Sequence, residues 1–202
     1  VTSSPSVAAA LAEGDLVING VTIGASVGSA DTASTTDASF SSIAKAAAIN
    51  AKSSSTGVSA TVNETVAAGV NRTAAALTGT ITINGVTTGS ISTTTDAAIS
   101  RSAVVAGINA ISGQTGVKAV DTGQDTSGVN LVAADGRNIT VSYTTLTSAA
   151  SGVIAAGTQY GTYSLSSTKD IVIAQGTGTI SNSGLKAGTY TPQVAYASTS
   201  SG

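Results

Sequence analysis

A set of short motifs occurs twice in this chain, in the same order, and that duplication limits its folds more than any other feature. Ile18-Asn19-Gly20-Val21-Thr22 returns as Ile83-Asn84-Gly85-Val86-Thr87, and Thr35-Thr36-Asp37-Ala38 returns as Thr94-Thr95-Asp96-Ala97. Ile49-Asn50-Ala51 returns as Ile108-Asn109-Ala110, and Thr56-Gly57-Val58 as Thr115-Gly116-Val117. The offset is 65 at the first motif (18 to 83) and 59 at the other three (35 to 94, 49 to 108, 56 to 115), so the first copy carries extra residues around Gly24–Ser34. One insertion within a loop, with order kept, is the mark of a duplicated module. Two copies are too few for a solenoid, so the expectation is a pair of modules.

Each copy dictates its local structure. Asp15–Ile18 and Val21–Ile23 flank Asn19-Gly20, and Thr80–Ile83 and Val86–Thr88 flank Asn84-Gly85. Asn-Gly between short β-branched runs predicts a hairpin with a type I′ turn, because both central residues must take φ > 0. A helix of about 14 residues, roughly 21 Å long, is predicted next. Thr36 or Asp37 would cap it in the first copy, and Thr95 or Asp96 in the second. Phe40, Ile43, Ala44 and Ala47 would form one buried stripe, and Ile99, Ala103, Ala106 and Ile111 the other. Glycine supplies a left-handed exit in Ser53–Gly57 and Gly113–Gly116.

A strand then returns, over Gly57–Val62 and Gly116–Val120. The second copy continues through Val129–Val132 and Asp135-Gly136 into Asn138–Tyr143, which predicts a second hairpin. The corresponding stretch of the first copy, Asn63–Leu77, is Ala-rich and degenerate. From Thr144 to Tyr196 there is no helical period. Short runs at Tyr163–Leu165, Asp170–Ile173, Gly178–Ile180 and Val194–Tyr196 read as strands. The ends, Val1–Ala12 and Ala197–Gly202, read as linkers. The fold class expected is α+β: two β-hairpin–helix–strand modules with antiparallel sheets, plus a mostly β C-terminal segment.

Composition narrows the chemistry. The chain has no Cys and no His, so zinc sites lose their usual ligands, disulfides are excluded, and neither Ser-His-Asp nor Cys-His pairs can form. Eight basic residues lie singly against ten acidic ones, a pattern unsuited to nucleic acid. No apolar run reaches the roughly 20 residues needed to cross a bilayer. Ser, Thr and Gly richness points toward disorder, but charged residues make up only 9% and mean hydropathy is positive, which favours a folded chain. The chain opens at Val1 without a basic stretch followed by an apolar one, and is read as a fragment of a longer protein with no secretory signal in view.

Among the carboxylates, Asp37 and Asp96 read as helix caps and Asp135 as a turn residue. Asp121–Asp125 lacks the alternating ligands and closing Glu of a calcium loop. Gly176-Thr177-Gly178 lacks the third Gly and the helix of a nucleotide loop. Asn63-Glu64-Thr65, Asn71-Arg72-Thr73 and Asn138-Ile139-Thr140 match the N-glycosylation pattern, as chance allows in so Thr-rich a chain. Tyr160, Tyr163, Tyr190 and Tyr196 cluster in the last third and read as sheet packing. The residues singled out are thus structural: Asn19, Gly20, Asp37, Asn50, Asn84, Gly85, Asp96, Asn109, Asp135 and Gly136. No catalytic, metal or cofactor-binding set emerges, and an enzyme is not expected.

The pattern Ile-Asn-Gly-Val-Thr, a Thr-Thr-Asp helix start, Ile-Asn-Ala and Thr-Gly-Val resembles the "hook IN" repeat of bacterial flagellins. The second copy carries it best, from Thr80 to Val120. Val129–Ser142, Tyr163–Val172 and Gly184–Tyr190 are also similar to flagellin, so the resemblance covers about two-thirds of the chain. It implies the central, variable, surface-exposed part of a flagellar filament subunit: extracellular, structural, and met by host receptors, antibodies and phage. It further implies that contacts to other subunits lie in long terminal helices with heptad-like patterns, absent from these residues, so that the fragment alone stays monomeric. A flagellin metalloprotease insert would need His, which is lacking. The same repeat occurs in filament-cap and hook-associated proteins, and a glycan-binding adhesin using Tyr160 and Tyr163 is the reading from another class.

Both ends of such a segment must return to one filament core, which places Val1 near Gly202. The layout expected is nested, with residues 1–76 and 144–202 forming a proximal domain and 77–143 a distal one. The alternative is sequential, with modules 13–78, 79–143 and 144–202.

Overall fold

Both Asn-Gly turns form as their spacing predicts. Asn19 and Gly20 take φ of 48° and 79°, and Asn84 and Gly85 take 48° and 81°. These left-handed pairs match the strand twist, as type I′ turns require.

The computed structural model describes residues 1–4 and 7–192. In chain order the first half holds β1 (Leu16–Ile18), β2 (Val21–Thr22), α1 (Ser42–Asn50), α2 (Ser53–Thr56), β3 (Ser59–Val62), β4 (Thr65–Ala67), β5 (Thr78–Ile83), β6 (Val86–Thr87), β7 (Ile91–Ser92) and α3 (Ala97–Asn109). Then come α4 (Ser112–Thr115), β8 (Lys118–Asp121), β9 (Val129–Ala133), β10 (Ile139–Thr144), α5 (Ser148–Ser151), β11 (Gly157–Gln159), β12 (Tyr163–Ser166), β13 (Ile171–Gln175) and β14 (Gly188–Tyr190). The fold is mixed α+β with several antiparallel sheets.

Two apolar cores divide the molecule. Leu16, Ile18, Ile49, Val58, Ala60, Tyr163, Leu165, Ile171 and Ile173 belong to one, and Ile81, Ile83, Ile108, Val117, Ala119, Leu131, Ile139 and Val141 to the other. We name the surrounding structures module one and module two.

The main strand pairings of the two modules share one register, to which module two adds β7 on β5. In module one the sheet order is β14-β13-β1-β2, with Ile18 opposite Ile173 and Ile173 opposite Gly188. In module two it is β11-β10-β5-β6, with Ile83 opposite Val141 and Val141 opposite Gly157. The smaller sheets agree as well: Ala60 faces Leu165 in β3-β12, and Ala119 faces Leu131 in β8-β9. The duplication therefore reaches well past the motifs. The counterpart of β9 and β10 is β12 and β13, not the degenerate Asn63–Leu77, which instead supplies β4 to module two. Module two is contained in the chain between β3 and β12, and its core takes in Ala67, Leu146, Ala150 and Val153, beyond the 77–143 span expected. Burying these side chains against β9 and β10 draws the boundaries out to the crossing segments near 63–64 and 161–162.

The N-terminal residues expected as a linker are bound to module one. Thr2 bridges Ser164, Ser4 N donates to Gly184 O at 2.8 Å, and Leu11 is 1% exposed. Their counterpart in module two is the run from β4 to Leu77, where Val70 N donates to Gly152 O at 2.9 Å. Leu11 and Leu77 are fixed alike: each N–H donates to a hydroxyl, of Ser26 or Thr93, whose own N–H returns to the leucine carbonyl.

Three other expectations are corrected. Asp135-Gly136 makes a tight turn, with Gly136 φ at 80° and its N–H on Ala133 O, but not a hairpin. β9 pairs with β4 and β8 while β10 pairs with β5 and β11, so both edges of each strand are taken and the turn is a corner between sheets. Gly178–Ile180 forms no strand; Ile180–Ser183 is a 3-10 turn ended by Gly184 at φ 75°. Ser148–Ser151 is a short helix inside the segment expected to be all β, and matches that turn, ending in Gly152 at φ 76°. Val194–Tyr196 and Ala197–Gly202 lie outside the described residues.

The helices are offset from their expected faces. α3 buries Ser100, Val104 and Ile108 and leaves Ile99 60% exposed and Ala106 exposed. α1 buries Ala44, Lys45, Ala46 and Ile49, while Phe40, Ile43 and Ala47 are half-buried. Alanine-rich helices have little contrast between faces, so periodicity fixes their rotation weakly.

Candidate functional site

The motif residues converge on two asparagine clamps per module. In module one, the Asn19 Nδ2 donates to Thr56 O at 2.8 Å, while its Oδ1 accepts from Val172 N at 2.8 Å. In module two, Asn84 Nδ2 donates to Thr115 O at 3.1 Å and its Oδ1 accepts from Thr140 N at 2.9 Å. Each turn asparagine thus ties the hairpin to the helix end and to the neighbouring strand. Gly20 and Gly85 complete the turns, and a Cβ on either would meet nothing, so conformation alone selects glycine there.

The second clamp comes from the helix C-terminus. Asn50 Oδ1 accepts from Ala60 N at 2.7 Å and its Nδ2 donates to Ala60 O at 2.9 Å. Asn109 does the same to Ala119, at 2.8 and 3.1 Å. An asparagine amide copies a backbone rung, so β3 and β8 gain one strand-like pairing from a helix. Thr56 and Thr115 Oγ1 each accept from the N–H two residues on, at 3.1 Å, which shapes the exit past Gly57 and Gly116.

The two aspartates diverge. Asp96 caps α3, accepting from Ile99 N at 2.9 Å. Asp37, expected to cap the first helix, sits at φ 50° and makes no cap bond; α1 begins later, with Ser41 accepting from Ala44 N at 3.1 Å. Asp37 instead accepts the Tyr160 hydroxyl at 2.7 Å, and the Phe40 and Tyr160 rings lie 5.9 Å apart. Burial, with the Asp37 carboxylate alongside, pushes the Tyr160 hydroxyl up to about 12.

Those contacts form the junction between modules. Asn138 N donates to Ser34 Oγ at 2.9 Å and its Nδ2 to Thr36 O at 2.9 Å; Ser42 Oγ donates to Gly136 O at 3.2 Å. A Cβ on Gly136 would strike Val62, so the corner needs glycine for space as well as for its φ. The crossing segments run side by side, Asn63 N donating to Thr162 O at 3.0 Å. Asp135 grips Arg137, whose ion pair holds the carboxyl below its ordinary value.

Several important side chains carried no signal in the motifs. Arg101, 6% exposed, lies on the buried face of α3; its Nε donates to Asp121 Oδ1 at 2.7 Å and its Nη1 to Asp125 Oδ1. Arg72 Nε reaches the same Asp125 oxygen at 3.1 Å. Burial raises the Asp125 carboxyl, but the two guanidiniums outweigh it and hold the group below its usual range. Asp121 and Asp125 are therefore committed to arginine. Lys45, only 3% exposed, stands where module two has Val104; its amine reaches Val7 O at 3.4 Å, and burial lowers it to about 8. Arg on an apolar helix face is the one sequence sign that could have revealed the cluster.

Among the described residues, no group of three or more His, Cys, Asp or Glu could hold a metal, and no helix is long and apolar enough to cross a membrane. Tyr160 and Tyr163 are buried, and the Tyr163 hydroxyl donates to Ser183 O at 2.6 Å. The glycosylation-pattern asparagines differ: Asn63 and Asn138 have their amides bonded, whereas Asn71 is exposed.

No protein-family model matches the chain, and no curated protein matches it.

Proposed function

We propose that this chain is the outer, surface-exposed part of a flagellin-type filament subunit, with a structural rather than an enzymatic role. The observation that carries the reading is the ordered recurrence of the hook IN-like motifs, with each motif asparagine acting as a scaffold clamp in both modules. The connectivity supports it. Val1 and Pro192 line one hollow on module one, and module two joins the chain only through the paired crossings at 63–64 and 161–162. That is a series arrangement, suited to display outward from a common base. Other subunits would be met through flanking segments, and receptors, antibodies or phage through the exposed faces. The buried Tyr160 and Tyr163 offer no ring face to a sugar, which disfavours the adhesin reading.

The test is immunogold labelling of sheared filaments from the source cell with antibodies to the purified 202-residue chain. Labelling along the whole filament is the expected result. Labelling at the tip or hook alone moves the chain to the cap or hook-associated proteins, and unlabelled filaments overturn the proposal.

A further inference from the structure

Duplicated modules supply each other's templates, and one site is filled in module two and open in module one. In module two, Arg137 lies across the end of α4. Its Nη1 donates to Thr115 O at 3.2 Å, alongside the Asn84 amide, and its guanidinium covers Gly116 so closely that a Cβ there would collide with it. The equivalent place in module one is bounded by Asn19, Thr56, Gly57, Ser167, Thr168, Lys169 and Asp170, around a hollow of about 580 Å³. A Cβ on Gly57 would meet nothing.

The difference traces to the corner after the outer strand. Between paired Leu131 and Ile139 lie seven residues, 132–138; between their counterparts Leu165 and Ile171 lie five, 166–170. Module one lacks the Asp-Gly pair, and Lys169 stands where Arg137 would. A lysine has one compact ammonium and no planar fork, so it cannot span the carbonyl and the carboxylate together. Thr56 lines the hollow, and among the described residues its carbonyl accepts only the Asn19 amide, whereas Thr115 O accepts both Asn84 and Arg137. Asp170 supplies a carboxylate at the rim and Ser167 and Thr168 supply hydroxyls.

We propose that this hollow is a binding site for a guanidinium group, the arginine side chain of a partner polypeptide. The carbonyl of Thr56 takes one N–H, as Thr115 O does in module two, and the carboxylate of Asp170, which lines the hollow from the register position of Asn138 rather than that of Asp135, takes another. A second copy of these residues cannot readily supply the arginine, because all three arginines, Arg72, Arg101 and Arg137, are held by their own aspartates.

The experiment titrates the full chain with N-acetyl-arginine amide, and separately with N-acetyl-lysine amide at equal ionic strength, following backbone amide shifts by NMR. Saturable shifts at Gly57, Ser167 and Thr168 with the arginine probe are expected, with affinity roughly millimolar for so open a site. Asp170→Asn should weaken binding about fivefold, the worth of one partly solvated ionic contact. Lys169→Arg should fill the hollow from within and abolish binding, while its spectrum, still dispersed, shows the fold intact. Equal binding of the lysine probe, shifts confined to other surfaces, or undiminished binding to Lys169→Arg would each overturn the proposal.

Discussion

Module two and module one share their clamps, their turns and their register, yet they differ in how the chain builds them. Module two is continuous, from Thr65 to Tyr160. Module one is assembled from two pieces, and its pairing of β3 with β12 joins residues about a hundred positions apart. Among the described residues module two also has the larger core, 17 buried apolar residues against 13, and its helix carries an ion cluster at Arg101 where module one has Ser42. The same scaffold therefore tolerates a whole copy of itself between two strands, provided the crossings lie side by side. Closing the distant pairing costs chain entropy, which grows slowly with loop length, and a folded insert shortens that loop. Module two should form first and bring Val62 and Tyr163 together for module one.

The largest effects should come from the cores. Ile108→Ala and Ile49→Ala should each cost about 2–5 kcal/mol. In urea, the first should destabilise both modules and the second chiefly module one; equal, independent losses would break the proposed dependence. The clamps come next. Asn109→Ala and Asn50→Ala each remove two bonds from a strand, and each should cost about 2 kcal/mol. A loss confined to one module would show that the clamps are not equivalent.

Lys45 sharpens the contrast through pH. Its folded value, about 8, lies below the ordinary 10.5, so the unfolded chain binds more protons between those values. Stability should therefore rise as pH increases from 8 toward 10.5, by about 2 kcal/mol after discounting for water near the amine, and the penalty is fully present below pH 8. Lys45→Val, copying Val104, should raise stability at pH 7 and flatten this dependence; an unchanged profile by thermal melts would contradict it. The smallest effects concern the aspartates. Asp96→Ala should cost about 1 kcal/mol through the lost cap. Asp37→Ala should leave helix content unchanged by circular dichroism and loosen only the Tyr160 contact.

What could be read from sequence follows what is local. The Asn-Gly turns, the Asp96 cap and the glycine exits depend on a few neighbouring residues, and each formed as expected. The first cap did not, because the Asp37 side chain is drawn to Tyr160, 123 positions away. The helix faces depart from their periodicity where alanine blurs the contrast between sides. The partner strands of module one were unreadable as part of the repeat, since Tyr163–Gln175 matches Val129–Thr144 only in alternation and register. Of the candidate residues, the four asparagines were visible as motif members. Their role was not, because Asn50 and Asn109 act on a strand ten residues on, after a second helical turn. Arg72, Arg101 and Lys45 are single charges whose meaning depends on what packs around them.

One scaffold occurs twice, with the second copy enclosed by the first. The most direct test of this arrangement is a set of cross-strand proton contacts by NMR on the intact chain. The expected contacts are Ile18 against Ile173 and Ala60 against Leu165, beside Ile83 against Val141 and Ala119 against Leu131. Finding β1 or β3 paired instead with any strand between residues 65 and 160 would contradict the arrangement.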